Sequence, residues 1–395
     1  MINKIVLSTL TTVIVMAGAS SSMYTDVNQT VKDYFTKVES HGVKNGGWII
    51  KNRKTEAIGE TFISLLTKDK NIKSGDDTYD DFIGLSFQND INYTTNSYRG
   101  VSTVIDFPRN NLDKNEAIVI DTIIKKKLIV LNSDYSITNH IYNLSLQDIN
   151  ETLNNTIIKI DGAKVDGFYD VAQPLKERVN LSVKSIDFRP LAKELLGEYF
   201  TLKNLTINTK TDKKGEVIDL EYEVSIDLLD SKVHKKYSLI ENAHFHIKIG
   251  NLDAKIYEEL EELGSQNPEL INKNKIDELS NKLLVSKGLF VEIIDFSFNN
   301  LINNKDIMGS TKITAKVSLD NVKNSAKEIA SNPILALSFL NLDAKIELSK
   351  DMLNIIMKDP RAVMLAMLPP KQEKDKTVYV IHYSKGKLSI NGQKL

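Results

Sequence analysis

Apolar and polar residues alternate strictly between residues 218 and 228. Every second residue is apolar, namely Ile218, Leu220, Tyr222, Val224, Ile226 and Leu228, and the residues between them are acidic or serine. Because successive side chains of a β-strand point to opposite faces, this pattern predicts a strand with one apolar face and one solvated face. One-sided strands of this kind are typical of antiparallel sheets.

Other segments extend this prediction. Residues 312–319 alternate in the same way, and Leu205 and Ile207 are predicted to pair with the 218–228 strand through a turn at Lys213-Lys214-Gly215. Residues 377–384 and 387–390 predict a final hairpin that turns at Lys385-Gly386. Nearer the N-terminus, shorter strand signals lie at 47–50, 85–93, 101–107, 117–131 and 156–160.

One hexapeptide, Asn-Leu-Asp-Ala-Lys-Ile, occurs twice, at 251–256 and at 341–346. Each copy follows a strand-like run and precedes a helix-like run, which predicts a repeated strand–helix unit. We expect Asp253 and Asp343 to lie where the two helices start, because a carboxylate there accepts backbone N–H groups that have no partner within the helix.

The predicted fold class is α+β, with large, curved, mostly antiparallel sheets, intervening helices, the repeated strand–helix unit and an N-terminal membrane helix. We divide the chain into three parts. Residues 1–25 are a signal or membrane anchor, residues 26–180 are an N-terminal β-rich region, and residues 181–395 are a C-terminal α+β region with the internal repeat.

The N-terminal segment predicts where the protein is located in the cell. Lys4 precedes an uncharged run that reaches Thr25, and the small residues Ala17-Gly18-Ala19 are suited to cleavage. The run is also long enough, roughly 30 Å as a helix, to cross a bilayer. A cleaved secretory signal and a retained anchor both remain open, and Lys4 predicts an N-terminus in the cytoplasm with the bulk of the chain outside it.

Composition excludes several classes of function. The formal net charge is −1, and no basic stripe with interleaved aromatic residues is present, so a nucleic-acid partner is not expected. The chain has no cysteine, which removes disulfides, thiolate metal sites and thiol nucleophiles together.

His244 and His246 are the candidates for metal binding. They flank Phe245, so their imidazoles lie on the same face of a predicted strand, opposite Phe245 and Ile247. A structural or catalytic site needs at least a third ligand, and the neighbouring sequence offers none. We therefore expect a polar strand face that Lys248 continues, and no metal ligand is assigned.

No catalytic or cofactor-binding residue is assigned either. His41, His140, His234 and His382 are isolated, and no Gly-x-Ser-x-Gly sequence is present to position a nucleophile. Gly42, Gly46 and Gly47 lack the Gly-Lys-Ser/Thr sequence of a phosphate-binding loop, so they predict a turn. No cofactor is expected.

Residues 362–368, Ala-Val-Met-Leu-Ala-Met-Leu, are apolar on every face of a predicted helix. Such a helix is covered by protein or by an apolar ligand. The apolar sheet faces therefore allow two interpretations, an ordinary core or a groove for lipid or another envelope component, and alternation alone does not separate them.

Several short motifs resemble the YdgA/YihF-like family of bacterial envelope proteins. They are the N-terminal run that ends near Tyr24 with the amphipathic segment after it, Tyr98-Arg99-Gly100-Val101-Ser102, the hexapeptide at 251–256, and the segment 384–392, whereas residues 110–180 depart from the family's pattern. The resemblance implies a protein of unknown function that is anchored in the inner membrane and lies largely in the periplasm. It offers no catalytic residues to transfer.

We therefore expect a non-enzymatic, membrane-tethered periplasmic or envelope protein that acts through binding surfaces. Its expected partners are the inner membrane, through the N-terminal helix, and lipid or envelope proteins. One alternative is a module that binds or transfers lipid through an apolar β groove, and a second alternative is a periplasmic hydrolase.

Overall fold

The computed structural model describes most of the chain after residue 46. The described residues are 32, 35, 36, 38–40, 47–68, 82–109, 114–136, 138–153, 155–169, 175–191, 198–233, 236–264, 273–284, 288–303, 306–307, 309–319, 332, 337–358 and 370–394. The predicted N-terminal segment 1–25 and the apolar segment 362–368 lie outside them. Within the described ranges, no helix combines the length and the apolar character needed to cross a membrane.

Strands dominate the described part of the chain. In the first half they are β1 (Gly47–Thr55), β2 (Gly59–Thr67), β3 (Ser86–Tyr93), β4 (Ser97–Asp106), β5 (Val130–Ser136), β6 (Ile141–Leu146), β7 (Ile149–Leu153), β8 (Thr156–Asp161), β9 (Lys164–Tyr169) and β10 (Lys176–Pro190). In the second half they are β11 (Tyr199–Lys214), β12 (Val217–Val233), β13 (Lys236–Asp253), β14 (Phe290–Phe298), β15 (Asn300–Asn303), β16 (Asp306–Ile307), β17 (Thr311–Leu319), β18 (Leu340–Ser349), β19 (Lys371–Glu373), β20 (Lys376–Ser384), β21 (Lys387–Ile390) and β22 (Gln393–Lys394). Among the described residues, the helices with defined bounds are α1 (Lys114–Lys125), α2 (Ala254–Gly264), α3 (Lys273–Leu284) and α4 (Lys350–Ile356).

The chain forms two compact units. The first contains residues 1–174, 179–205 and 231–234, and the second contains residues 175–178, 206–230 and 235–395.

Strands β1 to β6 of the first unit pair antiparallel in chain order. β6 then pairs with β9, β7 pairs with β8, and β8 pairs with β10, again antiparallel. Each strand thus pairs with strands that are close to it in the sequence, as in a meander. The antiparallel sheet predicted from the alternation is confirmed.

The strands of the second unit also pair antiparallel. β13 pairs with β14, β14 with β17, β17 with β18, β18 with β20, and β20 with β21, all antiparallel. The predicted final hairpin is confirmed, since Ser384 lies opposite Lys387 across a two-residue turn. Lys385 and Gly386 have φ angles of +50° and +76°, which suit the primed turns that join twisted antiparallel strands.

One sequence prediction in the first unit is wrong. The apolar run at 117–131 predicted a strand, but residues Lys114–Lys125 form helix α1, and β5 starts only at Val130. Val119, Ile120 and Ile123 are all buried, and their spacing places them on one side of a helix. The tertiary burial of that side outweighs the modest strand preference of the β-branched residues.

The first hexapeptide lies where it was predicted. Its Asn-Leu-Asp residues end β13, and α2 starts at Ala254. The carboxylate of Asp253 accepts the backbone N–H of Ile256 at 3.0 Å, as expected of a helix-capping residue. Leu252 and Ala254 are buried in a cluster with Ile218 and Leu289.

The second hexapeptide contradicts the predicted repeat. Residues 341–346 lie inside β18, which continues to Ser349. Asp343 is 70% exposed and pairs with His382 on the neighbouring strand. The cap of the following helix is Ser349, whose hydroxyl oxygen accepts the N–H of Met352 at 3.2 Å.

Strand pairing explains why identical residues adopt different structures. The second copy has partners on both sides along its length, with Ala344 opposite Ala315 of β17 and Ile381 of β20. In the first copy, the pairing of β13 with β14 stops at Gly250 opposite Phe290, and β13 continues only to Asp253 before α2 starts at Ala254. Tertiary hydrogen bonding thus overrides an identical local sequence.

These two contexts give a direct prediction. Asp253→Ala removes a helix cap and should lower the free energy of unfolding by about 1 kcal/mol. Asp343→Ala removes an exposed side chain from a strand and should change stability little. Urea denaturation of both variants measures the difference, and equal losses would contradict the assignment of Asp253 as the cap.

Candidate functional site

The polar face of the second unit's sheet brings acidic residues of β12 against imidazoles of β13. Glu221, Glu223, His244 and His246 share this face because they occupy the polar positions of two alternating strands. His244 Nε2 lies 2.9 Å from Glu223 Oε1, and His246 Nε2 lies 2.7 Å from Glu221 Oε1. The His244 and His246 side chains are 30% and 18% exposed, so the cluster is half-buried.

Asp295 of β14 completes the cluster. Its Oδ2 atom lies 3.4 Å from His244 Nδ1 and 3.4 Å from Lys312 Nζ. Its Oδ1 atom is buried and has no hydrogen-bond partner among the described residues. A shift of register between His246 and Ile247 in the β13–β14 pair accompanies this placement and sets Asp295 opposite His246.

Electrostatic shifts follow from these contacts. The hydrogen bond from His244, helped by one from Asn208, lowers the pKa of the Glu223 carboxyl. Burial alone would raise the pKa of Asp295, but bonds from Ser297, His244 and Lys312 outweigh it, and the pKa is lowered. Both carboxylates are therefore negatively charged at neutral pH.

Charge on this polar face alternates from strand to strand. β12 carries acidic residues, β13 carries histidines and lysine, β14 is acidic again, and β17 carries lysines. Lys248 Nζ lies 3.2 Å from Asp219 of β12, and Lys316 Nζ lies 3.3 Å from Glu292 of β14. Directly opposed opposite charges stabilise adjacent strands, whereas like charges destabilise them.

Asp219 anchors one end of this pattern. Its Oδ1 accepts the N–H of Asn251 at 3.2 Å, and its Oδ2 contacts Lys248 at 3.2 Å and Lys214 at 3.3 Å. Burial would raise the pKa of the carboxyl, but these three donors outweigh it and lower the pKa.

A pH dependence follows for Asp219. Because its pKa is lower in the folded state than in the unfolded chain, its ionised form stabilises the protein above the unfolded pKa of about 4. That stabilisation is lost as the pH falls through the folded pKa. Asp219→Asn should therefore cost roughly 1–2 kcal/mol at pH 7 and progressively less below pH 4. Urea midpoints at several pH values test this, and a loss equal at pH 3 and pH 7 would contradict it.

The structure confirms part of the sequence-based analysis of the histidines. His244 and His246 share a polar face, and Phe245 lies on the other face, where its ring contacts Tyr222 and Phe296. The neighbouring sequence offers no third ligand, but the fold brings Glu223 close to both histidines from the neighbouring strand. His382 pairs with Asp343, and His41 and His234 lie outside the described residues.

Sequence analysis did not single out Glu221, Glu223 or Asp295 as members of this cluster. Glu221 and Glu223 were visible as polar positions of the 218–228 strand, but which histidine each would face depends on the register between β12 and β13. Asp295 depends in addition on the register shift in β14.

The opposite, apolar face carries a row of aromatic rings. Tyr222, Phe245, Phe296 and Phe298 follow one another with ring centroids 6.1–6.2 Å apart, in edge-on arrangements. Phe298 is buried in a cluster with Leu348 and Met352, whereas Tyr222 at the other end is 39% exposed. The row therefore runs from a packed core to a partly open surface.

A buried ion pair in the first unit has a structural role. The fully buried carboxylate of Glu60 contacts Arg53 through two bonds, 2.5 Å from Nε and 2.9 Å from Nη2. Burial and the nearby carboxylate raise the pKa of Tyr93, whose hydroxyl donates to Glu60, to about 12. Arg53 also donates to the carbonyl of Lys32 and so joins that segment to the sheet.

Comparison with known proteins identifies the family. A family model described as a bacterial protein of unknown function, DUF945, matches residues 91–395. The chain belongs to this family. No protein of curated function and no solved structure matches it. The DUF945 match confirms the expectation of a bacterial family of unknown function, and the finer YdgA/YihF resemblance stays a prediction.

Three of the motifs that suggested the resemblance lie within the DUF945 match, and the two at 98–102 and 384–392 have structural roles within the sheet. A Cβ atom at Gly100 would lie 2.7 Å from the Tyr98 hydroxyl, so glycine leaves room for the tyrosine. Ser102 donates to the buried Asn89 at 2.7 Å. In the C-terminal motif, the side chain of Asn391 accepts the N–H of Val380 and donates to the carbonyl of Val378. These residues hold the sheet together.

Proposed function

We propose that this DUF945 protein is a non-enzymatic, membrane-tethered protein of the bacterial envelope that acts through the surfaces of its sheet. The observation that carries the proposal is the one-sided construction of β12 to β20, with a charged face and an apolar face that is only partly covered near Tyr222. The uncharged run after Lys4 supports the tether.

Cell fractionation tests the tether. The full-length protein should be exported and should fractionate with membranes, or with the periplasm if the segment is cleaved. Val13→Arg places a charge in the middle of the apolar run and should leave the protein in the cytoplasm. The control Thr25→Arg changes the end of the run and should be exported normally. Full-length protein found soluble in the cytoplasm would contradict the proposal.

The second candidate function is binding or transfer of lipid. The aromatic row favours it, because Tyr222 and Phe245 offer a continuous apolar surface that opens towards solvent, as in sites for apolar ligands. A periplasmic hydrolase is the second alternative, and no contact among the described residues favours it over the other two functions.

Mass spectrometry of the protein purified in mild detergent tests the lipid hypothesis. Co-purifying phospholipid should be retained by the wild type and reduced at least several-fold by Tyr222→Asp. Val380→Asp is the matched control, because Val380 is 47% exposed and lies beside Lys345, on the polar face. Equal lipid content in the two variants would contradict lipid binding at Tyr222 and would favour a protein partner for the apolar surface.

A further inference from the structure

We propose that His244, His246 and Glu223 bind a divalent transition-metal ion of the zinc class on the polar face of the sheet. The three side chains each offer one donor atom, and these atoms lie within 4.8 Å of one another. Zinc holds its nitrogen and oxygen ligands at about 2.0–2.2 Å, so adjacent donors around it lie roughly 3.3 Å apart. Small side-chain rotations close the remaining gap.

The backbone positions the donors before any metal binds. His244 and His246 are two residues apart on β13 and therefore project from the same face. Glu223 faces His244 from the neighbouring strand at hydrogen-bond distance. Three ligands on two paired strands are held more rigidly than ligands on loops, which reduces the entropy lost on binding.

Asp295 orients His244 for this role. His244 presents Nδ1 to the Asp295 carboxylate, at 3.4 Å, and Nε2 to Glu223. A carboxylate that accepts the Nδ1–H proton leaves Nε2 as the free electron pair and fixes the ring, an arrangement that recurs behind metal-bound histidines. Glu221 supplies a further carboxylate beside His246 Nε2, at 2.7 Å.

The donor set selects the kind of ion. Two imidazoles with a carboxylate suit zinc, cobalt, nickel or iron(II), whereas calcium and magnesium prefer oxygen ligands alone. The half-buried position gives an ion a path from solvent, which a metal site requires.

The competing interpretation is that both histidines serve only as the cations of the strand-to-strand charge pattern. Elsewhere on this face the cations are lysines such as Lys248, Lys312 and Lys316. A lysine would serve the charge pattern equally well at 244 or 246, but lysine is a poor zinc ligand. A histidine-to-lysine substitution therefore distinguishes the two interpretations.

Zinc titration of the chelator-treated full-length protein tests the proposal. The wild type should bind one equivalent of zinc and gain roughly 5 °C in melting temperature at saturation. Cobalt should bind at the same site and give visible absorption bands. No stabilisation of the wild type and no cobalt bands would overturn the proposal.

Matched variants separate the metal site from the charge pattern. His244→Lys introduces a lysine like those elsewhere on this face and should lose zinc binding at least tenfold, as should Glu223→Gln. Asp295→Asn should weaken zinc binding about tenfold while the cobalt spectrum persists, because it removes an orienting group and no ligand. The control His382→Ala removes an exposed histidine–aspartate pair without a second histidine and should bind zinc normally.

Two results would contradict the assignment of ligands. One is zinc binding by His244→Lys at the affinity of the wild type, and the other is loss of binding in His382→Ala. Direct binding calorimetry accompanies the melting curves, and far-UV circular dichroism establishes that each variant is folded. If His244→Lys or Glu223→Gln is unfolded, His246→Ala serves as the test of the ligand assignment in its place. A cobalt spectrum that persists in His246→Ala would exclude His246 as a ligand.

Discussion

Opposite charge on neighbouring strands is the interaction on which the second unit depends. The polar face of β12 is acidic, that of β13 carries histidines and Lys248, that of β14 is acidic and that of β17 carries lysines. Contacts such as Asp219 with Lys248 and Glu292 with Lys316 join these strands across the face. Each exposed pair contributes little by itself, but the pattern penalises arrangements that would place like charges side by side. Charge thus selects which strands are neighbours, and apolar alternation selects which face is buried.

The candidate metal site grows out of this pattern. At most positions the cation is lysine, which can only pair with a carboxylate. At 244 and 246 the residue is histidine, whose imidazole can hydrogen-bond to a carboxylate and can also bind a metal. The register shift in β14 adds Asp295 behind His244. The face that carries the ion pairs therefore also carries the ligands and the orienting group of the proposed metal site.

Local sequence was sufficient where the pattern was strict. The 218–228 strand, the 312–319 strand and the final hairpin were predicted because a period of two and a Lys-Gly turn between two strand-like runs are strong signals. Helix α2 and its Asp253 cap were predicted because an aspartate stands between a strand-like run and a helix-like run. The charged and apolar faces of the sheet followed directly from these strands.

Other features depend on residues that are distant in the sequence. The second hexapeptide is a strand because β17 and β20 flank it, and neither strand is visible within six residues. The β-branched residues of α1 give a strand-like sequence pattern, but their tertiary packing favours a helix. The same limit applies to the site, since Glu223 and Asp295 join His244 only through pairing registers that alternation does not specify.

The meander has a consequence for how the chain acquires its structure. Many of the paired strands are joined by short turns, as where Tyr93 faces Tyr98 and Ser384 faces Lys387. Short separations lower the entropic cost of closing each hairpin and favour rapid folding. A chain that emerges from its N-terminus, whether from a ribosome or from a translocation channel, can therefore add each new strand to one that has already formed. Long unpaired segments, which are prone to aggregation, need exist only briefly.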